Sequence, residues 1–166
     1  MEDNFNRLFD VIKTDYDMSL SLNFLDDLAE NIFKTDDSLS RFIQKSSNNP
    51  LFAAILAILP SDLQNGDGDK NEIKNLTTEI KKRIQALKKL SLTLAIKPNE
   101  KILKTVKDWA RTNTGEQVVL DVTVDPEIIG GAIIVRNGTY HDYSIAKKIK
   151  DIFVEKHDAL MAKILA

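Results

Sequence analysis

The sequence predicts an α+β protein: a helical bundle domain over residues 1–89, then a small mixed β-sheet packed with helices over residues 90–166. Three observations predict it. Apolar residues recur at i, i+3, i+4 and i+7 through the first half, which is the period of a helix with one buried stripe. After Lys89 the period falls to two, the mark of a strand with one buried face. Pro, Gly and Asn fall between these runs, where elements have to end.

The first helix carries Phe5, Leu8, Phe9 and Ile12 on one stripe. A second carries Leu22, Leu25, Leu28, Ala29, Ile32 and Phe33, and a third, capped by Asp36 or Asp37, carries Leu39, Phe42 and Ile43. Pro50 suits a first helical turn and Pro60 forbids continuation past Leu59, so the apolar run between them reads as a short buried helix. Ile73, Leu76, Ile80, Ile84 and Leu87 then restore the helix period from Lys70 to Leu87, with lysines and Arg83 on the outer positions. None of these stripes hides itself from water alone, so the five helices are expected to pack as one bundle.

In the second half, Leu90, Leu92, Leu94 and Ile96 alternate with small or polar residues as a first strand. Asn99 caps a helix carrying Ile102, Leu103, Val106, Trp109 and Ala110, which ends at Asn113-Thr114-Gly115. Val118, Leu120, Val122 and Val124 are the expected inward residues of a second strand. After Gly130-Gly131 comes the strand 132–136, then Asn137-Gly138 as a type I′ hairpin signal, then a strand over 139–143. Ser144 caps a last helix with Ile145, Ile149, Ile152 and Phe153 on one side.

Composition narrows the function. The chain has 166 residues, a net charge of −2 and no cysteine, which excludes thiol nucleophiles, disulfides and Cys-ligated metal centres and suggests a compartment inside the cell. The charge is unevenly spread: residues 1–69 hold 13 Asp and Glu against 5 Lys and Arg, and residues 70–111 hold 4 against 12. The basic helix from Lys70 to Lys89 raises nucleic-acid binding as an alternative, although no aromatic platform accompanies it. The longest apolar run, Leu51 to Leu59, extends about 13.5 Å as a helix against roughly 30 Å of hydrocarbon, so any membrane association has to come through a partner.

Catalytic patterns are thin. His141, Asp142 and Ser144 are the residue types of a hydrolytic triad, but neighbours on a strand point to opposite faces, and Ser144 reads as a helix cap. His157 has no companion at a metal-ligand spacing, and neither register of Asn65-Gly66-Asp67-Gly68-Asp69 fills a calcium loop. Gly130-Gly131 leads into a strand and so cannot cradle phosphate at a helix start. The expectation is a binding protein with no catalytic, cofactor or metal site.

One run is specific. Asp125-Pro126, Ile128-Ile129, Gly130-Gly131, Arg136, Gly138, Asp142 and Ser144 follow a pattern that resembles the C-terminal signature of the δ subunit of F-type ATP synthases, the oligomycin-sensitivity-conferring protein of mitochondria. The resemblance implies a bundle of about six helices that sits on the catalytic head and binds the N-termini of the α subunits. It further implies a C-terminal part that holds the b subunits of the peripheral stalk. Such a protein has no active site, acts as one copy in its complex, and lies at the cytoplasmic face of the bacterial membrane. Here the region before the first strand is 89 residues, shorter than usual for the family, and Phe5-Asn6-Arg7-Leu8-Phe9 replaces the common Tyr-Ala-x-Ala-Leu opening.

On that basis the stripe Phe5, Leu8, Phe9 and Ile12 is the expected face for the N-terminal peptide of an α subunit, and Ile145, Ile149, Ile152 and Phe153 the expected face for b. The bland alternative for each stripe is internal core. A V/A-type E-like stalk subunit is a second family reading, but it needs one long N-terminal helix, which Pro50 and Pro60 oppose.

Overall fold

The computed structural model describes residues 2–32, 36–60 and 69–164. Among them the helices are α1 (Glu2–Val11), α2 (Asp15–Ile32), α3 (Asp36–Ser46), α4 (Pro50–Leu56), α5 (Lys70–Gln85), α6 (Glu100–Thr114) and α7 (Ile145–Ile164). The strands are β1 (Lys88–Leu94), β2 (Val118–Val124), β3 (Ala132–Arg136) and β4 (Thr139–Asp142), with a 3₁₀ turn at Pro126–Ile128. The α+β class expected from the sequence is the class observed. Phe33 and residues 65–68 of the glycine-rich turn lie outside the described residues.

The chain divides into two units, Met1–Lys88 with Trp109–Val119, and Lys89–Asp108 with Leu120–Ala166. The sequence boundary at 89/90 thus meets a second crossing, because the C-terminal part of α6 and the segment up to Val119 group with the helical unit.

Within the helical unit, caps set the element starts. Thr14 and Asp17 form a reciprocal capping box: the Asp17 carboxylate accepts from the Thr14 N–H at 2.9 Å, and the Thr14 hydroxyl oxygen accepts from the Asp17 N–H at 3.2 Å. Asn49 caps α4 ahead of Pro50, and Asp69 caps α5 through the Asn71 N–H at 2.9 Å. The core gathers Phe5, Leu8, Ile12, Leu25, Leu28, Ile55, Ile80 and Ile84, each fully buried. Phe24 stacks between Phe42 and Phe52 and so ties α2 to α3 and α4. Helix α5 closes the bundle by burying Ile73, Thr77, Ile80 and Ile84. Thr77 is tolerated in that stripe because its hydroxyl donates to the Ile73 carbonyl at 2.7 Å. Each isoleucine so buried contributes roughly 1.5–3 kcal/mol.

The charge asymmetry is partly offset inside this unit. Lys81 pairs with Asp26, Arg83 with Glu2 and Arg111 with Asp10, so basic residues of the middle segment meet acids of the front, while Glu79 pairs with Arg83 one turn away on α5. The Arg83 guanidinium also lies 4.0 Å over the Phe5 ring. These pairs lie at the surface, where solvent screens them.

The second unit is built on a four-stranded sheet in the order β2-β1-β3-β4. β3 is antiparallel to both neighbours, with Leu92 opposite Ile134 and Val135 opposite Tyr140. Leu90, Leu92 and Leu94 alternate inward as expected, but Ile96 beyond the strand is 70 % exposed. In β2 the buried residues are Val118, Val119 and Leu120, while Val124 is exposed; the period of two does not hold where the strand passes from one unit to the other. Trp109, expected on the buried stripe of its helix, is also exposed.

The close passage of two backbone segments fixes the start of α7. Gly131 has φ of 77°, and a Cβ there would lie 2.3 Å from the Tyr143 carbonyl oxygen. Gly138 has the same φ with nothing within 4 Å of such a Cβ. Alanine at Gly131 is therefore expected to cost about 3 kcal/mol or more, through strain plus collision. At Gly138 it costs only the left-handed conformation, about 1–2 kcal/mol. Urea unfolding midpoints of the two variants check this; equal losses would contradict it.

Candidate partner-binding surfaces

The residues of the family-like run have identifiable structural tasks. Asp125 accepts from the Glu127 N–H at 2.9 Å and caps the 3₁₀ turn that Pro126 opens. The Asp125 N–H donates to the Leu94 carbonyl at 2.8 Å, fastening the turn to the end of β1. At Gly130 a Cβ would meet Ile145 Cδ1 at 2.7 Å, and the Gly130 carbonyl accepts from the Ile145 N–H at 2.9 Å. The Tyr143 N–H donates to the Ala132 carbonyl at 2.8 Å. Asn137 and Gly138, both at positive φ, make the expected hairpin, and Arg136 faces Thr139 across it.

Asp142 and Ser144 finish the arrangement. The Asp142 carboxylate accepts from the Ser144 N–H at 2.8 Å, and the Ser144 hydroxyl oxygen accepts from the Lys147 N–H at 3.1 Å, which is an N-cap. Ser144 is buried, and its hydroxyl serves the helix start as the sequence implies. Hydrogen bonding by the Ser144 side chain, then by its backbone, holds the Asp142 carboxyl below its ordinary value, with Lys147 adding to the effect. Among the described residues no group of three or more His, Cys, Asp or Glu could hold a metal ion.

The two expected docking stripes meet different fates. Phe5, Leu8 and Ile12 are completely buried in the helical core, so burial inside the chain already occupies the face expected for an α-subunit peptide. Only Phe9 of that stripe stays partly accessible. It borders a surface cavity of about 440 Å³ shared with Arg83, Ala86, Leu87, Lys88, Glu116 and Gln117. On α7 the outcome is reversed: Ile145 is 43 %, Ile149 39 %, Ile152 51 % and Phe153 70 % exposed.

Sequence reasoning missed how far this apolar surface extends. Val154, Met161 and Ile164 on α7, and Ile129 on the turn before β3, are also exposed. The apolar-periodic pattern of α7 read equally well as core, and only burial separates the two. On the basic helix, the ion pairs of Lys81 and Arg83 with acids of the same unit remove two cations from the phosphate-binding alternative. No helix among the described residues is long and apolar enough to cross a membrane.

A carboxylate with a depressed folded pKa adds stability that is complete above its unfolded pKa and is lost as the pH falls through the folded one. Asp142→Asn is therefore expected to flatten the acid limb of stability from the ordinary carboxylate range downward. Urea midpoints of both proteins across that range test it, and parallel acid limbs would contradict it.

Comparison with known proteins gives the geometry its context. Residues 68–154 match the family described as ATP synthase delta (OSCP) subunit. The ATP synthase subunit delta of Nitrobacter winogradskyi is 36 % identical over 61 residues, covering 37 % of this chain and 33 % of that protein. The ATP synthase subunit delta of Xanthobacter autotrophicus is 43 % identical over 47 residues, 28 % of this chain and 23 % of that protein. The aligned parts thus span a third or less of the length of either relative. With its family match covering the capped turn, the glycine crossing and the start of α7, the chain belongs to the ATP synthase delta (OSCP) subunit family.

Proposed function

We propose that this protein is a peripheral-stalk connector of an F-type ATP synthase, a non-catalytic subunit that links the catalytic head to the b subunits. The observation that carries the reading is the row Ile145, Ile149, Ile152 and Phe153, exposed on a helix whose start is fastened by backbone hydrogen bonds at Gly130 and Ala132. Exposed apolar groups in such a row at helical spacing suit the apolar face of a partner helix. Burying one of them completely is worth roughly 1.5–3 kcal/mol. A stator has to resist rotor torque, and a helix clamped at its base by a capped, glycine-crossed turn suits that mechanical task.

On the same reading the helical unit meets the N-termini of the α subunits. With Phe5, Leu8 and Ile12 in the core, the contact falls to Phe9 and the cavity beside it. The protein acts as one copy in the complex and reaches the cytoplasmic face of the bacterial membrane through its partners. The short helices α1 to α4 leave no long N-terminal helix among the described residues, which disfavours an E-like stalk subunit.

Calorimetric titration of the full chain with the C-terminal segment of the cognate b subunit, and separately with the N-terminal peptide of the cognate α subunit, tests this. Both should give saturable heat. Ile152→Asp should weaken b by at least about tenfold, the least expected from placing a charge against apolar surface, and leave α unchanged. Absence of heat from both peptides at high concentration would sink the proposal.

A further inference from the structure

Ile129 ends the 3₁₀ turn, its N–H donating to the Pro126 carbonyl at 3.0 Å, but folding gives no reason for an isoleucine side chain at that position. Its φ of 65° lies in the left-handed region, where a β-branched residue is an outlier. Its ψ is −38°, and the Gly130 N–H donates to the Ile128 carbonyl at 2.7 Å, which makes a γ-turn of the rare, strained kind. Burial does not compensate, because Ile129 is 62 % exposed while its neighbour Ile128 is buried. Glycine or asparagine would adopt this backbone with less strain. A strained bulky apolar residue held in water points to a use outside the fold.

Its position indicates the use. Gly130, the next residue, packs directly against Ile145, and its carbonyl accepts from the Ile145 N–H. Ile129 therefore stands one residue from the point where the exposed row of α7 begins. We infer that Ile129 is a specificity-determining contact for the partner helix, and that the strained turn extends the apolar surface of α7 onto the loop before β3. This inference rests on the stalk-connector reading. The occupant is one amphipathic helix with acidic residues beside its apolar stripe. Ile145 to Ile152 covers about two helical turns, the length over which a partner helix engages apolar anchors. Lys147, Lys148 and Lys150 outnumber Asp151 along the same stretch, so acidic flanks complement it.

The test uses the full chain, the C-terminal segment of the cognate b subunit as probe, and two variants, Ile129→Asn and Ile152→Asp. Asparagine accepts the turn, so Ile129→Asn should keep or raise the unfolding midpoint while weakening the Kd by about tenfold, a size typical of an interface anchor. If Ile152→Asp abolishes binding and Ile129→Asn leaves the Kd unchanged, the role of Ile129 is overturned and the stalk reading stands. If neither variant changes the Kd, both fall. A lowered midpoint for Ile129→Asn would show that the isoleucine serves the turn itself, and would also overturn the inference.

Discussion

The C-terminal unit depends on one contact between backbones. The chain at Gly131 passes so near the Tyr143 carbonyl that no side chain fits between them. Two hydrogen bonds, from Ile145 to Gly130 and from Tyr143 to Ala132, hold that crossing closed. The start of α7 is thereby fixed by main chain, which all sequences share, with glycines admitting the approach. The cap from Ser144 and the bond from its N–H to Asp142 then direct the chain into the helix. A motif that looks at first like a phosphate loop or a triad fragment is a clamp.

The clamp explains why the apolar row of α7 can stay in water without the unit losing its shape. The orientation of the helix start does not require Ile149, Ile152 or Phe153 to be buried, so these residues are available for a partner. The helical unit is built the opposite way. There the row on α1 is consumed by the core, and α5 joins it through Ile73, Ile80 and Ile84, while acids of the front segment meet bases of the middle one. Lys81 and Arg83 of α5 meet carboxylates of the same unit, so that part of its basic face needs no polyanion to account for it.

Much of this was legible in the sequence, for physical reasons that differ by element. Periodicity located the helices and strands because only one face of each is buried, and Asn137-Gly138 and Ser144 announced their turn and cap because few residues suit those backbones. Burial was not legible. Phe5 and Ile149 occupy equivalent places in equivalent patterns, yet one is in the core and the other in solvent, because the difference lies in which neighbours the tertiary fold supplies. The Thr14–Asp17 capping box was visible in principle as Thr-x-x-Asp, and it moves the start of α2 well ahead of the first leucine of its stripe. The strained turn at Ile129 had no sequence signal, since isoleucine argues against positive φ.

On the stalk-connector proposal, a clamped helix presents an outward apolar face to a partner helix. Hydrogen–deuterium exchange of the full chain, alone and with a saturating amount of the C-terminal segment of b, addresses it most directly. The account predicts that amides at 143–147 are protected already in the free protein, and that the partner slows exchange over 145–153 and at 129–130. Fast exchange at 143–147 in the free chain, or an unchanged profile when the segment is added, would contradict it.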